Sequence, residues 1–200
     1  MEMFSDRPGP ARVLIDTDTA NEIDDQFALA WALLSPERLD VEAIVAGPYG
    51  HLHMREPLIA AVKAQADVSR TLPVDDRFDK WAQHLLEQGI DPATMHLVGP
   101  AEGMERSYEE ILTVLDKLGI PSDGLAFRGS ERYMPASDVP VESEGAHRII
   151  EAALSDDERV LFTVAIGAVT NIASALLMAC LLYTSPSHET DSLSRMPSSA

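Results

Sequence analysis

The sequence predicts an α/β protein with a mainly parallel open sheet flanked by helices, that is, a Rossmann-like core. Short β-branched and aliphatic runs at 13–15, 39–46 and 160–166 alternate with stretches of helical periodicity. Two strands joined by one helix form a βαβ unit, and such units contain parallel strands. The 200 residues, of which 46% are hydrophobic, suit one globular domain with a sizeable core.

The elements follow one another in the order β α β, insertion, α β α β α. The first helix is predicted over 22–34, where Ser35-Pro36 ends it, and its apolar residues recur at helical spacing. These residues are Ile23, Phe27, Ala28, Ala30, Trp31 and Leu34. Amphipathic patterns predict further helices at 104–118 and 144–154, with a short strand and turn at 124–129 between them.

Residues 51–98 are predicted to form an accessory helical insertion, with helices at 57–66 and 77–88. Its His51-x-His53 pair has two interpretations. The pair is one possible start of a metal site, and scattered surface histidines are the commoner explanation of such a pattern.

No charged residue occurs between positions 160 and 183, so this stretch has to be tested against a membrane span. Its first half is β-branched and aromatic, Gly167 interrupts it, and Asn171 lies within its second half. We therefore expect a buried strand followed by a buried helix. Residues 1–180 are assigned to the domain, and the Ser-, Thr- and Pro-rich residues 181–200 to a low-complexity, non-native tail.

A formal net charge of −18 argues against nucleic acid and anionic membranes as partners, because the average field of the protein repels both. The one cysteine, Cys180, forms no internal disulfide, and residues 1–12 contain no apolar signal-peptide core. These observations predict a cytoplasmic protein that binds cations or small polar ligands.

Four aspartates follow the first strand: Asp16, Asp18, Asp24 and Asp25. Carboxylates gathered at one strand end repel one another, and a hard divalent cation relieves this repulsion. Asp18 from the strand and Asp25 from the start of the helix are predicted to converge on one ion. The alternative is helix capping, with Asn21 as N-cap and the later acids stabilising the helix dipole.

Two other acid motifs begin in a similar way. An EF-hand loop starting at Asp16 fails at Ala20, Asn21 and Phe27, where it requires an oxygen ligand, a glycine and a glutamate. A haloacid-dehalogenase-type, Mg²⁺-dependent phosphatase also begins with a strand and Asp-x-Asp, and Asp16 would be its nucleophile. A third possibility is a non-catalytic module that binds a nucleoside or a sugar.

Two motifs together resemble the inosine/uridine-preferring nucleoside hydrolases. Asp16-Thr17-Asp18 followed by Asp24-Asp25 resembles the N-terminal signature of that family, with a longer loop between the two acid pairs. Residues 165–173, Ala-Ile-Gly-Ala-Val-Thr-Asn-Ile-Ala, resemble its second motif. The resemblance covers residues 12 to 180 apart from most of 51–98.

The resemblance implies hydrolysis of the N-glycosidic bond of a ribonucleoside by a Ca²⁺-activated water. It assigns Asp18, Asp25 and the main-chain carbonyl of Thr170 to the metal and Asp24 to the general base, with Asp16 and Asn171 in supporting roles. The expected partner is a nucleoside, and the full-length parent is expected to be a homo-oligomer.

The C-terminal part of that family supplies a further aspartate ligand and a leaving-group acid. Neither has a counterpart in this sequence, so the chain is predicted to be an N-terminal portion of the domain with weak or no activity.

Overall fold

A four-stranded, all-parallel sheet forms the centre of the computed structural model, which describes residues 9–66 and 76–184. Its strands are β1 (Ala11–Thr17), β2 (Leu39–Ala46), β3 (Ala126–Arg128) and β4 (Leu161–Ala165), in the spatial order β3-β2-β1-β4. Each neighbouring pair is parallel. This arrangement confirms the predicted α/β class with an open parallel sheet.

Six helices connect and cover the strands within the described residues. They are α1 (Ile23–Leu33), α2 (Arg55–Ala66), α3 (Asp76–Gln88), α4 (Pro100–Leu118), α5 (Glu144–Ala153) and α6 (Thr170–Thr184), and one 3-10 turn precedes α2 at Leu52–Met54. The predicted order of elements is confirmed. α6 continues past position 181, where the tail was predicted to begin, and residues 185–200 lie outside the described ranges.

The helices pack on both faces of the sheet. The chain winds from β1 to β3 in one direction and then crosses back to β4, so the direction of winding reverses between β1 and β4. α1 and α4 cover one face, where Val13 and Ile44 meet Ile111. α5 and α6 cover the other, where Leu14 contacts the group that contains Ile149. In open α/β sheets, ligands bind at the carboxyl ends of the strands where the direction of winding reverses. The gap between the ends of β1 and β4 is therefore where the fold favours a site.

The orientation of α1 differs from the helical face that its large apolar residues predict. Ile23, Phe27, Trp31 and Leu34 are 66–71% exposed, whereas the buried residues of α1 are Asp25, Leu29 and Ala32. α1 is apolar on nearly all sides, so periodicity alone does not select its buried face. The small Ala32 and the hydrogen-bonded Asp25 lie on the buried side, and the four large side chains point to solvent.

The prediction of a buried strand at 160–166 is wrong for most of its length. β4 has only one strand neighbour, β1, among the described residues. Leu161 and Phe162 pack against the two core clusters, while Thr163, Val164 and Ala165 are exposed. The apolar composition was correctly recognised as a strand, but its position at the sheet edge leaves these residues uncovered.

The accessory insertion is helical, as predicted, and α2 and α3 pack against each other. It leaves the carboxyl end of β2 through Gly47–Gly50 and returns at the start of α4, where the His51 amide donates to the Val98 carbonyl at 2.8 Å. No described helix is both long and apolar enough to cross a membrane.

A buried arginine ties the elements together at the opposite, amino-terminal edge of the sheet. Arg12 on β1 forms a salt bridge with Glu42 on β2. Its guanidinium also donates to the Ala152 carbonyl at 3.0 Å and to Ser155 Oγ at 2.8 Å, at the end of α5. The guanidinium group of Arg12 therefore joins β1, β2 and the segment that connects α5 to β4.

Candidate active site

Three of the four predicted aspartates are buried together at the carboxyl end of β1. Asp16 is the sixth residue of β1, Asp18 follows the strand, and Asp25 lies in the first turn of α1. All three are buried, with relative exposures of 1%, 7% and 4% respectively. The main-chain amide of Asn21 donates to the Asp18 carbonyl at 2.7 Å, which closes a turn within the loop 18–22.

The carboxyl groups of Asp18 and Asp25 face each other. Burial, and after it the charge of the adjacent Asp25 and a hydrogen bond with it, together raise the pKa of Asp18 to about 6. Thr17 Oγ1 donates to Asp25 Oδ2 at 2.7 Å, and Asn21 Nδ2 donates to Asp18 Oδ2 at 3.1 Å. These neutral donors orient the two carboxyl groups and supply no positive charge.

These contacts bear on the alternative that the acids only cap α1. The N-cap residue is Glu22 instead of Asn21, and its side chain forms no capping hydrogen bond. The side chain of Asn21 is used by Asp18, and that of Asp25 is used by Thr17. Helix capping therefore does not account for the burial of Asp18 and Asp25.

The second motif approaches the acids from the end of β4. A Cβ atom at Gly167 would lie 2.7 Å from Asp18 Oδ1, so the backbone reaches the carboxylate only because position 167 is glycine. Thr170, three residues later, begins α6 and is buried. The fold thus brings the two predicted motifs together at the gap between β1 and β4.

Asn171 is fully buried and bonds to several strand ends. Its Nδ2 donates to Asp16 Oδ1 at 2.9 Å and to the Ala46 carbonyl at 3.3 Å. Its Oδ1 accepts from the Ser130 amide at 2.7 Å and from Ser130 Oγ at 2.8 Å. The predicted supporting residue therefore fixes Asp16 relative to the loop that follows β3.

Asp16 has an unusual environment for a carboxyl group. Its pKa is raised to about 7 in total: burial raises it most, the hydrogen bond from Asn171 lowers it, and the charge of Asp18 raises it. Asp16 Oδ2 is buried and has no hydrogen-bond partner among the described residues. A buried oxygen without a partner is costly, so this atom is available for a proton or a cation.

Asp24 lies apart from the buried acids. It is exposed in the first turn of α1, and its carboxylate forms no hydrogen bond or ion pair with the part of the chain that the structure describes. Asp24 is thus on the rim of the site, beside a buried Asp25.

The loop after β3 contributes residues that the sequence did not indicate. Gly129 packs against the Ala46 carbonyl and the Asn171 side chain, and Ser130 bonds to Asn171. Tyr133 is close enough to Asp18 to be affected by its charge. Partial burial, and after it the charge of Asp18, raises the pKa of the Tyr133 phenol. The one available signal was the position of this loop after a predicted strand, at the same edge as the acids.

A cavity of about 630 Å³ lies along the same loop, large enough for a small organic ligand. Gly129, Glu131, Arg132 and Ser143 are among its lining residues. Arg128, at its margin, forms a two-point ion pair with Glu105 at 2.7 and 2.8 Å and stacks over the ring of Tyr108.

The predicted histidine pair does not form a cluster with other ligands. His51 is partly exposed and His53 is exposed within the 3-10 turn. Across residues 9–66 and 76–184, no group of three or more His, Cys, Asp or Glu side chains is arranged to hold a metal ion. A cation between Asp18 and Asp25 would therefore need main-chain oxygen ligands as well.

Comparisons with protein-family models, with curated proteins and with solved structures find no match for this chain.

Proposed function

We propose that this chain carries the cation- and water-binding half of an enzyme that hydrolyses the N-glycosidic bond of ribonucleosides. The observation that supports the proposal best is the pair of buried carboxyl groups, Asp18 and Asp25, with the backbone of Gly167 against Asp18. The two motifs that resemble the nucleoside hydrolases lie far apart in the sequence and adjacent in the fold.

The residues present fit a calcium ion. Two facing carboxyl groups without a cationic side chain between them are unfavourable in a buried crevice, and a divalent cation removes this cost. Asp18, Asp25 and the main-chain carbonyl of Thr170 would hold the ion. When bound, it would supply positive charge that lowers the cost of deprotonating a water molecule.

The side chains then have separate roles in the proposed reaction. Asp24, exposed and without a hydrogen bond within the described chain, accepts the proton of the attacking water. The negative charge of the buried acids stabilises the oxocarbenium-like ribose of the transition state. Asp16 and Asn171 hold the β1 end and the loop after β3 in position.

The accessibility of Asp16 argues against the phosphatase alternative. A nucleophilic aspartate has to reach the phosphorus atom, but Asp16 is 1% exposed and its Oδ1 accepts a hydrogen bond from Asn171. This environment supports a positioning role for Asp16.

The metal assignment is tested by titrating the metal-free protein with Ca²⁺ in a calorimeter. We expect Asp18→Asn and Asp25→Asn each to lose most of the binding. Asp116→Asn, which removes an exposed carboxylate on α4, should keep the affinity of the unmodified chain. Calcium binding that survives both Asp18→Asn and Asp25→Asn would contradict the proposed site.

The reaction class is tested with inosine, uridine and a phosphomonoester as substrates. We expect slow release of ribose, at most, that Asp24→Asn abolishes, and no release of phosphate. Phosphate release that depends on Asp16 would instead establish the phosphatase alternative. Binding of nucleoside with no product, by this chain and by a longer form of the domain alike, would establish a binding module.

A further inference from the structure

The cavity beside the loop after β3 shares a wall with the proposed cation site. Gly129 lines the cavity, and a Cβ atom at this position would overlap the Ala46 carbonyl and the Asn171 side chain. Ser143, at the start of α5, also lines the cavity, and its Oγ lies 3.4 Å from Asn171 Oδ1. The Nδ2 of the same amide donates to Asp16. The cavity and the buried acids are therefore neighbours at one edge of the sheet.

One small ligand is long enough to reach both places. The cavity lies at the end of β3, and β2 is the strand between β3 and β1. Neighbouring strands are about 4.8 Å apart, so the ends of β1 and β3 are separated by roughly 10 Å, which is similar to the length of a nucleoside. A ribonucleoside whose ribose lies at Asp18 and Asp25 therefore extends far enough to bring its base to the cavity.

Three glutamates contribute negative charge to the lining of the cavity. Glu131 and Glu142 form no ion pair or hydrogen bond with the described part of the chain. Glu144 Oε2 accepts a hydrogen bond from the main-chain amide of Arg128 at 3.2 Å, which leaves the carboxylate charged. All three carboxylates are exposed to a ligand that enters the cavity.

The positive charges at the cavity do not balance these carboxylates. Arg128 already forms its two-point ion pair with Glu105. Arg132 lines the cavity without an ion pair to any described residue, so three carboxylates remain against one free guanidinium. Met104 and Val141 are buried and give the cavity an apolar part that can contact a ring. The lining therefore favours a flat ligand group with a positive charge.

We propose that the substrates of this site are ribonucleosides whose base carries a permanent positive charge, such as a pyridinium ring. The ring lies against the apolar part of the cavity, and the carboxylates at the rim attract its charge. This inference rests on the proposed function and names the substrate class of the same site.

The charge of such a base also suits the proposed reaction. Cleavage breaks the bond between C1′ and the base nitrogen, and the electron pair of the bond leaves with the nitrogen. A neutral base would leave as an anion that has to take up a proton, whereas a pyridinium leaves as a neutral pyridine. The water oxygen bonds to C1′, and its proton passes to Asp24 and then to solvent. A cationic substrate therefore needs no proton donor in the cavity.

Calorimetric titrations with nicotinamide riboside and uridine test this substrate class. The bases of both probes are six-membered rings, and only the pyridinium is charged. In the presence of Ca²⁺, we expect the pyridinium riboside to bind about ten-fold more tightly than uridine. Glu131→Gln and Glu142→Gln should each weaken its binding about five-fold and leave the affinity for uridine unchanged.

Two control variants separate the local charge from the net charge and from the shape of the lining. Asp116→Asn removes one negative charge near the far end of α4 and should change neither affinity, because salt screens a charge at that distance. Glu142→Asp keeps the charge at the cavity and should retain the preference for the pyridinium riboside.

Equal affinities for the two ribosides would overturn the proposed substrate class. So would glutamate variants that weaken the binding of both ribosides to the same extent, or an unmodified chain that binds neither. Ribose released in the same samples distinguishes this inference from the proposed function. Charge-dependent binding without release of ribose from either probe would support the cationic ligand class and contradict the hydrolase, whereas faster release from uridine would contradict the substrate class alone.

Discussion

At the scale of single residues, the burial of Asp16 has a direct consequence for the response of the protein to pH. Its carboxyl group has an ordinary value of 3.8 and a pKa of about 7 in the folded chain. Between these values the folded protein retains a proton that the unfolded chain releases. The contribution of Asp16 to the free energy of unfolding therefore falls as the pH rises from about 4 to 7 and stays low above that range.

Asp16→Asn removes this titration while keeping the shape of the side chain. We expect the free energy of unfolding of the unmodified chain, measured with urea in calcium-free buffer, to fall by about 2–4 kcal/mol more than that of Asp16→Asn between pH 4 and pH 7. Asp116→Asn, in which an exposed carboxylate is changed, should show the slope of the unmodified chain. Equal slopes for the unmodified chain and Asp16→Asn would show that Asp16 is ionised throughout.

The sequence predicted which acids lie together at the site, but it did not predict all of their contacts. The burial of Asp16, Asp18 and Asp25 follows from their position between an apolar strand and a helix, both of which are visible in the sequence. The contact of Asn21 with Asp18 was not predictable, because the loop conformation decides whether an asparagine caps the helix or turns back to the strand. Tyr133 was missed because a loop tip has no periodicity that reveals its partners.

At the scale of elements, the first turn of α4 packs closely on the loop that follows β2. A Cβ atom at Gly103 would overlap the carbonyl oxygen and ring of Tyr49. Helix propensity alone favours alanine over glycine by about 1 kcal/mol in a helix interior. Packing and propensity therefore predict opposite signs for the same substitution.

We expect packing to dominate in Gly103→Ala, because the overlapping atom belongs to the backbone and cannot rotate away. The midpoint of urea unfolding should decrease, with a loss of about 1–3 kcal/mol. Ala101→Ser, at an exposed position in the same turn, should change the free energy of unfolding by less than about 0.5 kcal/mol. A more stable Gly103→Ala variant would mean that α4 is free to move away from Tyr49.

The comparison between sequence and structure separates local from non-local information. The order and type of the elements were predicted correctly, because periodicity and glycine or proline boundaries are properties of short segments. The buried side of α1 and the exposure of β4 were predicted wrongly. Both depend on which elements lie beside them, and an apolar residue has the same character in a core and at an open edge.

At the scale of the whole molecule, the two ends of the sheet differ in chemistry. The carboxyl end holds buried acids that pair with no cationic side chain among the described residues, whereas the amino end is held by the buried Arg12 and its acceptors. The buried acids thus lie at the end where a ligand is proposed to bind, and the opposite end carries a charge that is paired.

Arg12→Met tests this division. The substitution leaves the Glu42 carboxylate without its main partner and frees the end of α5, so we expect a loss of about 3–5 kcal/mol in the free energy of unfolding. Arg159→Met, which alters a half-exposed ion pair with Asp40 and Asp157, should cost clearly less than Arg12→Met, because solvent screens an exposed pair. Urea unfolding of both variants measures the difference, and equal losses would contradict a special role for Arg12.

The hydrogen bonds of Asn171 extend across the full width of the sheet. From α6, which follows β4, this one side chain reaches Asp16 on β1, Ala46 on β2 and Ser130 beyond β3. The bonds of this side chain require the ends of β1, β2 and β3 to be correctly placed relative to the start of α6. A slip of one of these three strands would break a hydrogen bond of Asn171, so the alignment of the buried acids depends on the register of the sheet.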